Sequence, residues 1–586
     1  MSANTRLEGA LHGNRQRRLE SWKAIARYLD RDVRSVQRWE HERGLPVHRT
    51  PGQKGSVFAY ESELDTWLHS RGSEDAVAAA EAHPAPSAKP IQWPPWLIGA
   101  CLVAPVLVVT AAIVLLRGPG PSAPAVRPAM KSIAVLPMVN LSGDRSQDYF
   151  VDGFTEELTT DLSQIRALRV ISRTSTMVYK GSRKPLPEIA RELHAKYILE
   201  GSVAREGPRV RVIAQLISAA SDTHISARTY YADVKDVLSV QGAISRAIAG
   251  DVRLDLSPDE KARLVSARAV DPAAHDLYLR ASSAYAAQTP QSIHESLSLY
   301  QAAAHKDPRF ARAYLGIALA ELALLQITAQ TPDVTVRQVK ENAERALALD
   351  PGLGDARGLL ASMTYNYDWN WPEAERQFRL ALADGAQAPT EQRFGAALTS
   401  RGRFAEGMAH LETAIELDPL GMSPRVNWLI ALLNERRYAE ARKEAERLLA
   451  SAPKFLAGHV LRLSAAGFEH DCAVEGSEAA WIGQHFPSPM AKVVSAFANA
   501  CRGDKVAARQ SLDSIEASKA SPFASPYQLA LGYAVIGDKD MALRYLNSSA
   551  DIHEPQVLFL KVEPVFDALR SDPRFVALER RLGLLP

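Results

Sequence analysis

Prolines spaced at multiples of 34 residues constrain the fold of this chain more than any other feature of its sequence. Pro351, Pro419, Pro453, Pro487 and Pro555 are separated by 68, 34, 34 and 68 residues. A fixed period of this length indicates one repeated supersecondary unit, which cannot bury its apolar face alone. We therefore expect an α-solenoid in which each unit packs against its neighbours.

The best copies of the unit, 391–419 and 425–453, carry small and large apolar residues at the spacing that two packed helices require. In period and pattern they resemble the tetratricopeptide repeat family, which implies a concave surface for a protein or peptide partner. We expect the array over 273–555, with nine inserted residues near 326–334 and a terminal cap over 556–586. Use of the array only as a spacer or for self-association stays open.

The amino-terminal residues 1–72 carry a different pattern. Ser21 is placed to cap a first helix, and Asp32 a second one that turns polar side chains outward. Alternating residues at 47–49 and 57–60 predict two strands joined by a basic turn. The segment 18–70 resembles the winged helix-turn-helix of MerR- and excisionase-like proteins, which implies binding to double-stranded DNA.

The candidate DNA contacts are side chains that can bond base edges or phosphates. They are Arg31, Arg34, Ser35, Gln37, Arg38, Arg49 and Lys54. Residues 1–72 hold 13 Lys and Arg against 9 Asp and Glu, so they are basic although the whole chain has a net charge of only +2. A degenerate helix-turn-helix that binds protein is the alternative.

A segment without charged residues, 96–116, follows the amino-terminal unit. Its 21 residues would span about 31 Å as a helix, the thickness of a bilayer core. We expect one transmembrane helix there, flanked by Pro- and Ala-rich linkers at 73–95 and 117–130. The expected location is the bacterial inner membrane, with the amino terminus cytoplasmic and the carboxy-terminal domains periplasmic. Flanking charge alone argues for the opposite orientation.

Residues 131–256 alternate apolar runs and helical patterns, which predicts a compact α/β domain. The stretches SIAVLPMVNLSGD, DGFTEELTTDL and YILEGSV resemble the TolB-amino-terminal/FlgO-type domain. In bacteria that domain recurs after cyclase, kinase or winged-helix modules and before helical repeats. The polar residues Asp152, Thr155, Glu156 and Glu157 lie near a helix start, where acids favour the helix dipole.

Three cysteines, Cys101, Cys472 and Cys501, form no CxxC pair, so no zinc site is expected. Cys472 and Cys501 fall on one edge of the solenoid, near the turns inside adjacent repeats. The sequence allows a disulfide between them, but two unpaired core cysteines are favoured.

The expected fold class is multidomain and mainly α: a winged helix-turn-helix, one transmembrane helix, an α/β domain and a tetratricopeptide α-solenoid. The sequence contains no phosphate-binding, zinc-protease, hydrolase or kinase motif, so neither an enzyme activity nor a cofactor is expected. The favoured function is a membrane-bound one-component transcription regulator, similar in layout to ToxR/CadC-type proteins. Its expected partners are DNA, the bilayer, a protein or peptide and a second copy of the chain.

Two other functions stay open. One is an envelope scaffold whose repeats recruit partners and whose helix-turn-helix is vestigial. The other is an enzyme of the cyclase group that shares this carboxy-terminal half, although the catalytic domain is missing.

Overall fold

The computed structural model describes residues 18–29, 31, 33–49, 57–71, 131–265, 270–327, 332–385, 387–517 and 525–585. They belong to two units, one within residues 1–123 and the other within 124–586. Each unit is described by itself.

The small unit combines three helices with a three-stranded antiparallel sheet. Its elements are β1 (Arg18–Leu19), α1 (Trp22–Tyr28), α2 (Val33–Arg43), β2 (His48–Arg49), β3 (Val57–Tyr60) and α3 (Glu61–Arg71). The strand order is β1-β3-β2. Ser21 caps α1 as predicted, because its Oγ accepts a hydrogen bond from the Ala24 backbone N–H at 3.2 Å. The buried core consists of Ile25, Ala26, Val36, Leu45, Val57, Ala59 and Leu64.

The fold class predicted from the sequence is wrong in its transmembrane helix. Among the residues that the structure describes, no helix is both long enough and apolar enough to cross a membrane. The segment from which that helix was predicted, 96–116, lies outside the described residues, as do both predicted linkers.

The α/β part of the large unit contains six strands, as the alternating pattern led us to expect in outline. They are β4 (Lys131–Val135), β5 (Val139–Asn140), β6 (Leu168–Val170), β7 (Tyr197–Glu206), β8 (Arg209–Ser218) and β9 (Thr223–Asp233). The sheet order is β6-β4-β7-β8-β9, and β5 pairs with β7. β4 runs parallel to β6 and β7, whereas β7, β8 and β9 are antiparallel neighbours.

Five helices accompany this sheet: α4 (Asp148–Ser163), α5 (Arg173–Met177), α6 (Leu186–Glu192), α7 (Val237–Asp251) and α8 (Pro258–Val265). α4 and α7 bury Phe154, Leu158 and Ile244 in the core cluster on one side of the sheet. α6 buries Ile189 and Ala190 in a second cluster, together with residues of β4, β7 and β8. The sheet is thus covered on both faces around β4, as apolar strands require, whereas β9 is largely exposed.

Eight helix pairs follow, which confirms the predicted α-solenoid within the described residues. The first helices of repeats 1 to 8 are α9 (Pro272–Ala286), α11 (Ala311–Ile327), α13 (Gly354–Asn366), α15 (Ala388–Ser400), α17 (Met422–Asn434), α19 (Leu456–Phe468), α21 (Pro489–Cys501) and α23 (Pro526–Val535). The second helices are α10 (Pro290–Lys306), α12 (Pro332–Leu349), α14 (Trp371–Ala383), α16 (Phe404–Leu417), α18 (Tyr438–Ser451), α20 (Cys472–His485), α22 (Lys505–Ala517) and α24 (Lys539–Asp551).

The 34-residue period also marks a recurring hydrogen bond. At three of the five periodic prolines, the side chain six residues later donates a hydrogen bond to the carbonyl oxygen of the proline. The pairs are Arg357 Nη2 with Pro351 (2.8 Å), Arg425 Nη2 with Pro419 (3.1 Å) and His459 Nε2 with Pro453 (2.9 Å). Each bond satisfies a carbonyl at the turn between repeats and thereby fixes the start of the next first helix.

The insertion predicted near 326–334 lengthens both helices of repeat 2. α11 has 17 residues and α12 has 18, whereas α15 and α16 have 13 and 14. The cap consists of two short 3-10 helices, Pro555–Phe559 and Pro564–Leu569, and of α25 (Pro573–Arg581). Its buried side chains Leu560, Phe566 and Leu569 join the core of repeats 7 and 8.

Candidate functional site

The polar face of α2 carries most of the predicted DNA contacts. Arg34, Gln37 and Arg38 are exposed, and Ser35 is half-buried. The same helix buries Val36 completely, so the exposed side chains lie opposite the core of the small unit. This amphipathic arrangement presents hydrogen-bond donors along one helix face.

The remaining predicted contacts differ in their surroundings. Arg31 is exposed between α1 and α2. Arg49 on β2 is exposed but forms a two-pronged ion pair with Glu40 of α2, with N···O distances of 2.7 and 3.2 Å. This ion pair connects the β2–β3 hairpin to α2 and occupies two hydrogen-bond donors of the Arg49 guanidinium. Lys54 lies outside the described residues.

A second candidate site is the surface that the first helices of successive repeats form together, which we call the inner face. Successive first helices pack directly on one another, for example α15 on α17 and α21 on α23. The side chains that they turn away from the second helices therefore form one continuous surface. In solenoids, such continuous surfaces are the binding surfaces.

Helix α4 of the α/β part occupies the inner face at its amino-terminal end. It approaches α9 so closely that a Cβ at Gly153 would lie 2.5 Å from Leu279 Cδ2. Leu279 is only 1% exposed and belongs to the same core cluster as the sheet. Further along α4, Asp161 Oδ1 lies 2.6 Å from Arg312 Nη2 of α11. The Nε2 atom of Gln387, just before α15, donates to Ser163 Oγ at 2.9 Å.

Glu157 is the centre of this contact. It is 1% exposed, and both its carboxylate oxygens lie within 3.0 Å of His275 Nε2 on α9. Gln241 of α7 donates to Oε2 at 2.9 Å, and Arg312 Nη1 lies 3.7 Å from Oε1. Burial alone would raise the pKa of Glu157, but His275 and Arg312 outweigh it and hold that pKa below its ordinary value.

The acidic run at 152–157 lies in the middle of α4 and not in its first turn, so the role predicted from the helix dipole is wrong. We expected its acids to favour the helix dipole, whereas Glu157 forms a buried polar contact between the α/β part and the repeats. No local pattern could have revealed this, because Glu157 and His275 are 118 residues apart in the chain.

A second contact fixes the α/β part to the turn between repeats 4 and 5. The carboxylate of Asp418 accepts hydrogen bonds from the hydroxyls of Ser172 and Ser175. Ser175 Oγ in turn accepts from the Leu420 backbone N–H at 2.9 Å. Arg169 Nη1 lies 2.6 Å from Glu416 Oε2. The α/β part thus contacts the array from repeat 1 to the turn between repeats 4 and 5.

The inner face continues beyond this contact with half-buried aliphatic side chains. Val426 and Ile430 of α17 lie one helical turn apart, and Val460 and Ser464 occupy the same two positions 34 residues later on α19. Asn427 lies beside them and is also half-buried. None of the five side chains carries a charge, so this part of the face suits an aliphatic and uncharged polar partner.

The cap covers the turns inside repeats 3 to 5. The His553 ring stacks on Trp369 with 4.2 Å between centroids, and Leu558 is buried among residues of α13 to α15. The Nη2 atom of Arg436, just after α17, lies 2.7 Å from Asp567 Oδ1. The carboxy-terminal segment therefore braces the central repeats as well as closing the last one.

The two carboxy-terminal cysteines are joined in a disulfide, with 5.5 Å between their Cα atoms. Cys472 is the first residue of α20 and Cys501 the last residue of α21, so both lie near turns inside adjacent repeats, as predicted. The favoured prediction of unpaired core cysteines is wrong, because both side chains are half-buried and within bonding reach. Beside them lies Glu475, which is buried.

No protein-family model matches the sequence. A stretch of 225 residues is 36% identical to a Rhizobium meliloti (strain 1021) protein named "Putative adenylate cyclase 3". That stretch is 38% of this chain and 38% of that protein, so the chain spans well under two thirds of the relative's length.

Several solved structures are similar to parts of the chain. Yeast Tom70 shares 14% identity over 75% of this chain and 89% of its own, with a TM-score of 0.34. A tetratricopeptide repeat protein from Parabacteroides merdae ATCC 43184 shares 11% identity over 47% of this chain and all of its own, with a TM-score of 0.33. Pseudomonas aeruginosa pilF shares 18% identity over 36% of this chain and 93% of its own, with a TM-score of 0.29.

Proposed function

We propose that this chain is a protein-interaction scaffold whose inner face, at repeats 5 and 6, binds a segment of a partner protein. The observation that carries this proposal is the position of α4. The inner face of the first repeats already accepts a helix of the same chain, through a close approach at Gly153 and a buried polar contact at Glu157. The same surface continues over α17 and α19 with half-buried side chains.

The chemistry of this continuation defines the partner segment. Val426, Ile430 and Val460 offer apolar surface, and burial of one such side chain contributes about 1.5–3 kcal/mol. Asn427 and Ser464 offer uncharged hydrogen-bonding groups beside them. A segment with aliphatic side chains at helical spacing, flanked by uncharged polar residues, matches both features. A strongly acidic or basic segment would find no opposite charge at these five positions.

Site-specific photo-crosslinking tests the proposal. A photoreactive phenylalanine analogue replaces Val426 or Val460 in the full chain, expressed in its native host. A matched control places the analogue at Ala450, which is exposed on α18 of the same repeat as Val426. We expect one discrete adduct from both inner positions and none from the control, with mass spectrometry identifying the captured segment.

The adduct must also depend on the chemistry of the face. Ile430→Ser should abolish the adduct formed from position 460, whereas Ala450→Ser should leave it unchanged. Circular dichroism of each variant establishes that the helices are retained. Equal adducts from the inner and control positions, or an adduct indifferent to Ile430→Ser, would contradict the proposal.

DNA binding by the small unit is a second candidate function, and a specific observation favours it. α2 buries Val36 and turns Arg34, Gln37 and Arg38 to solvent, beside the β2–β3 hairpin. This arrangement is typical of a helix that enters the major groove. The test is selection of duplexes on the full chain, followed by mobility shift with the Arg34→Ala/Arg38→Ala variant.

A charge-matched control distinguishes groove binding from general attraction to phosphate. Lys443→Ala/Arg447→Ala removes two exposed cations from α18 of the solenoid. Loss of the shift in the α2 variant alone supports DNA binding by α2. Equal affinity of both double variants and the wild-type chain rules it out.

A further inference from the structure

Cys472, Glu475 and Cys501 bring three metal-ligand groups together across the junction of repeats 6 and 7. Their sulfur and carboxylate oxygen atoms all lie within 4.8 Å of one another. Cys472 and Glu475 are one helical turn apart on α20, and Cys501 ends the neighbouring α21. Sequence spacing hides the group, because one cysteine comes from each of two repeats.

Glu475 is a buried acid whose burial is only partly offset by the positive charge of Arg502. The residue is only 4% exposed, and its Oε2 atom is buried without a hydrogen-bond partner. A buried carboxylate oxygen without a partner costs free energy, and a bound cation is one arrangement that would offset this cost. The buried Glu478 on the same helix differs, because it bonds His459 and Arg462.

The size and charge of the group suit a zinc-like cation. Zinc binds thiolate sulfur at about 2.3 Å and carboxylate oxygen at about 2.0–2.2 Å, so the ligand atoms of a tetrahedral site stand about 3.4–3.8 Å apart. The three ligand atoms, all within 4.8 Å of one another, reach that separation by small side-chain rotations once the disulfide is reduced. Arg502 lies over the same helix, with its Nη1 2.7 Å from where a Cβ at Gly476 would stand. Its charge would balance the excess of two thiolates and one carboxylate over a divalent ion. A water molecule can fill the fourth position.

We propose that Cys472, Glu475 and Cys501, once their disulfide is reduced, bind a thiophilic divalent cation of the zinc type. Reduction by an external dithiol breaks the S–S bond, transfers two electrons and two protons to the cysteines and leaves the dithiol oxidised. Binding of the cation then displaces the two thiol protons without any further change in redox state. Repeats 6 and 7 are thus stapled by a disulfide under oxidising conditions and by a metal under reducing conditions. This site is independent of the binding function proposed above.

Cobalt titration of the reduced full chain tests the site. Cys101→Ser provides the background, so that Cys472 and Cys501 are the remaining thiols. After reduction and removal of the reductant under inert gas, Co²⁺ should bind at one equivalent with a thiolate-to-cobalt charge-transfer band, and Zn²⁺ should displace it. Cys472→Ser or Cys501→Ser should abolish the band, and the oxidised chain should show none.

Glu475 is tested separately from the thiols. Glu475→Gln should keep a thiolate band but weaken the apparent affinity by about 10-fold or more, at least the loss seen when outer partners of metal ligands are removed. Glu478→Gln, equally buried one turn further along α20, should leave the affinity unchanged. Zn²⁺ should also raise the melting temperature of the reduced chain and not that of the oxidised chain. Binding that is equal in the oxidised, cysteine-free and wild-type chains would show an adventitious ion only and overturn the proposal.

Discussion

Glu321 on α11 should make repeat 2 less stable as the pH rises, and Glu321→Gln should remove that loss. The side chain is only 8% exposed, and its one hydrogen bond comes from Asn342 Nδ2 at 3.2 Å. Burial raises the pKa of Glu321 to about 7 from 4.5, Asn342 opposes the rise, and the nearby Glu341 adds to it.

The sign and size of the effect follow from this pKa. Below about pH 4.5 the carboxyl is protonated in both the folded and the unfolded chain, so no difference arises. Between about pH 4.5 and 7 the unfolded chain releases the proton while the folded chain retains it, so the free energy of unfolding falls. The full loss, present above about pH 7, is about 3.5 kcal/mol, because each pKa unit corresponds to about 1.4 kcal/mol.

Hydrogen exchange of the full chain measures the effect locally, in peptides from α11 and α12 and after correction for the intrinsic exchange rate. The protonated carboxyl and the Gln amide have similar shapes, so wild type and Glu321→Gln should be equally protected at pH 5. At pH 8 the variant should be about 300-fold better protected. Glu344→Gln, exposed on α12, serves as the control and should behave as wild type. A wild-type chain whose corrected protection does not change between pH 5 and 8, or a variant less protected at pH 8, would refute the reasoning.

Three further substitutions test the exposed face of α2, the cap and the contact at Asp418. Arg38→Ala should weaken binding of the full chain to selected duplexes by about 1–3 kcal/mol in a mobility-shift titration. Leu558→Ala, at a side chain only 2% exposed, should cost about 3 kcal/mol of local stability and deprotect cap peptides in hydrogen exchange. Asp418→Ala leaves the hydroxyls of Ser172 and Ser175 without their acceptor, so it should cost about 1–3 kcal/mol and speed proteolysis after α5.

The repeated elements were predictable because their stabilising contacts are local in sequence. The 34-residue period of Pro351, Pro419 and Pro453 marks the turns between helix pairs, and the wider spacing around 307–350 marks the longer helices of repeat 2. The periodicity contained one more signal that could have been found, namely Arg357, Arg425 and His459, each six residues after such a proline.

The contacts between parts of the chain were not predictable in the same way. Glu157 and His275, or Leu558 and the side chains of repeats 3 and 4, lie far apart in the chain and meet only when separate parts of the large unit pack together, which no sequence spacing encodes. The cysteine group was predictable only in part. Its place on one edge followed from the repeat, but the approach of Glu475 depends on how two helices are rotated against each other.

The most direct test of the scaffold function is hydrogen exchange of the full chain with and without the segment captured at Val426 or Val460. We predict new protection in α17 and α19, because the segment covers the inner face there, and no change in α18 and α20. Protection in α4 should also stay unchanged, because that helix already fills the first part of the inner face. New protection confined to the second helices, or release of α4 when the segment binds, would contradict the proposal that repeats 5 and 6 provide the binding surface.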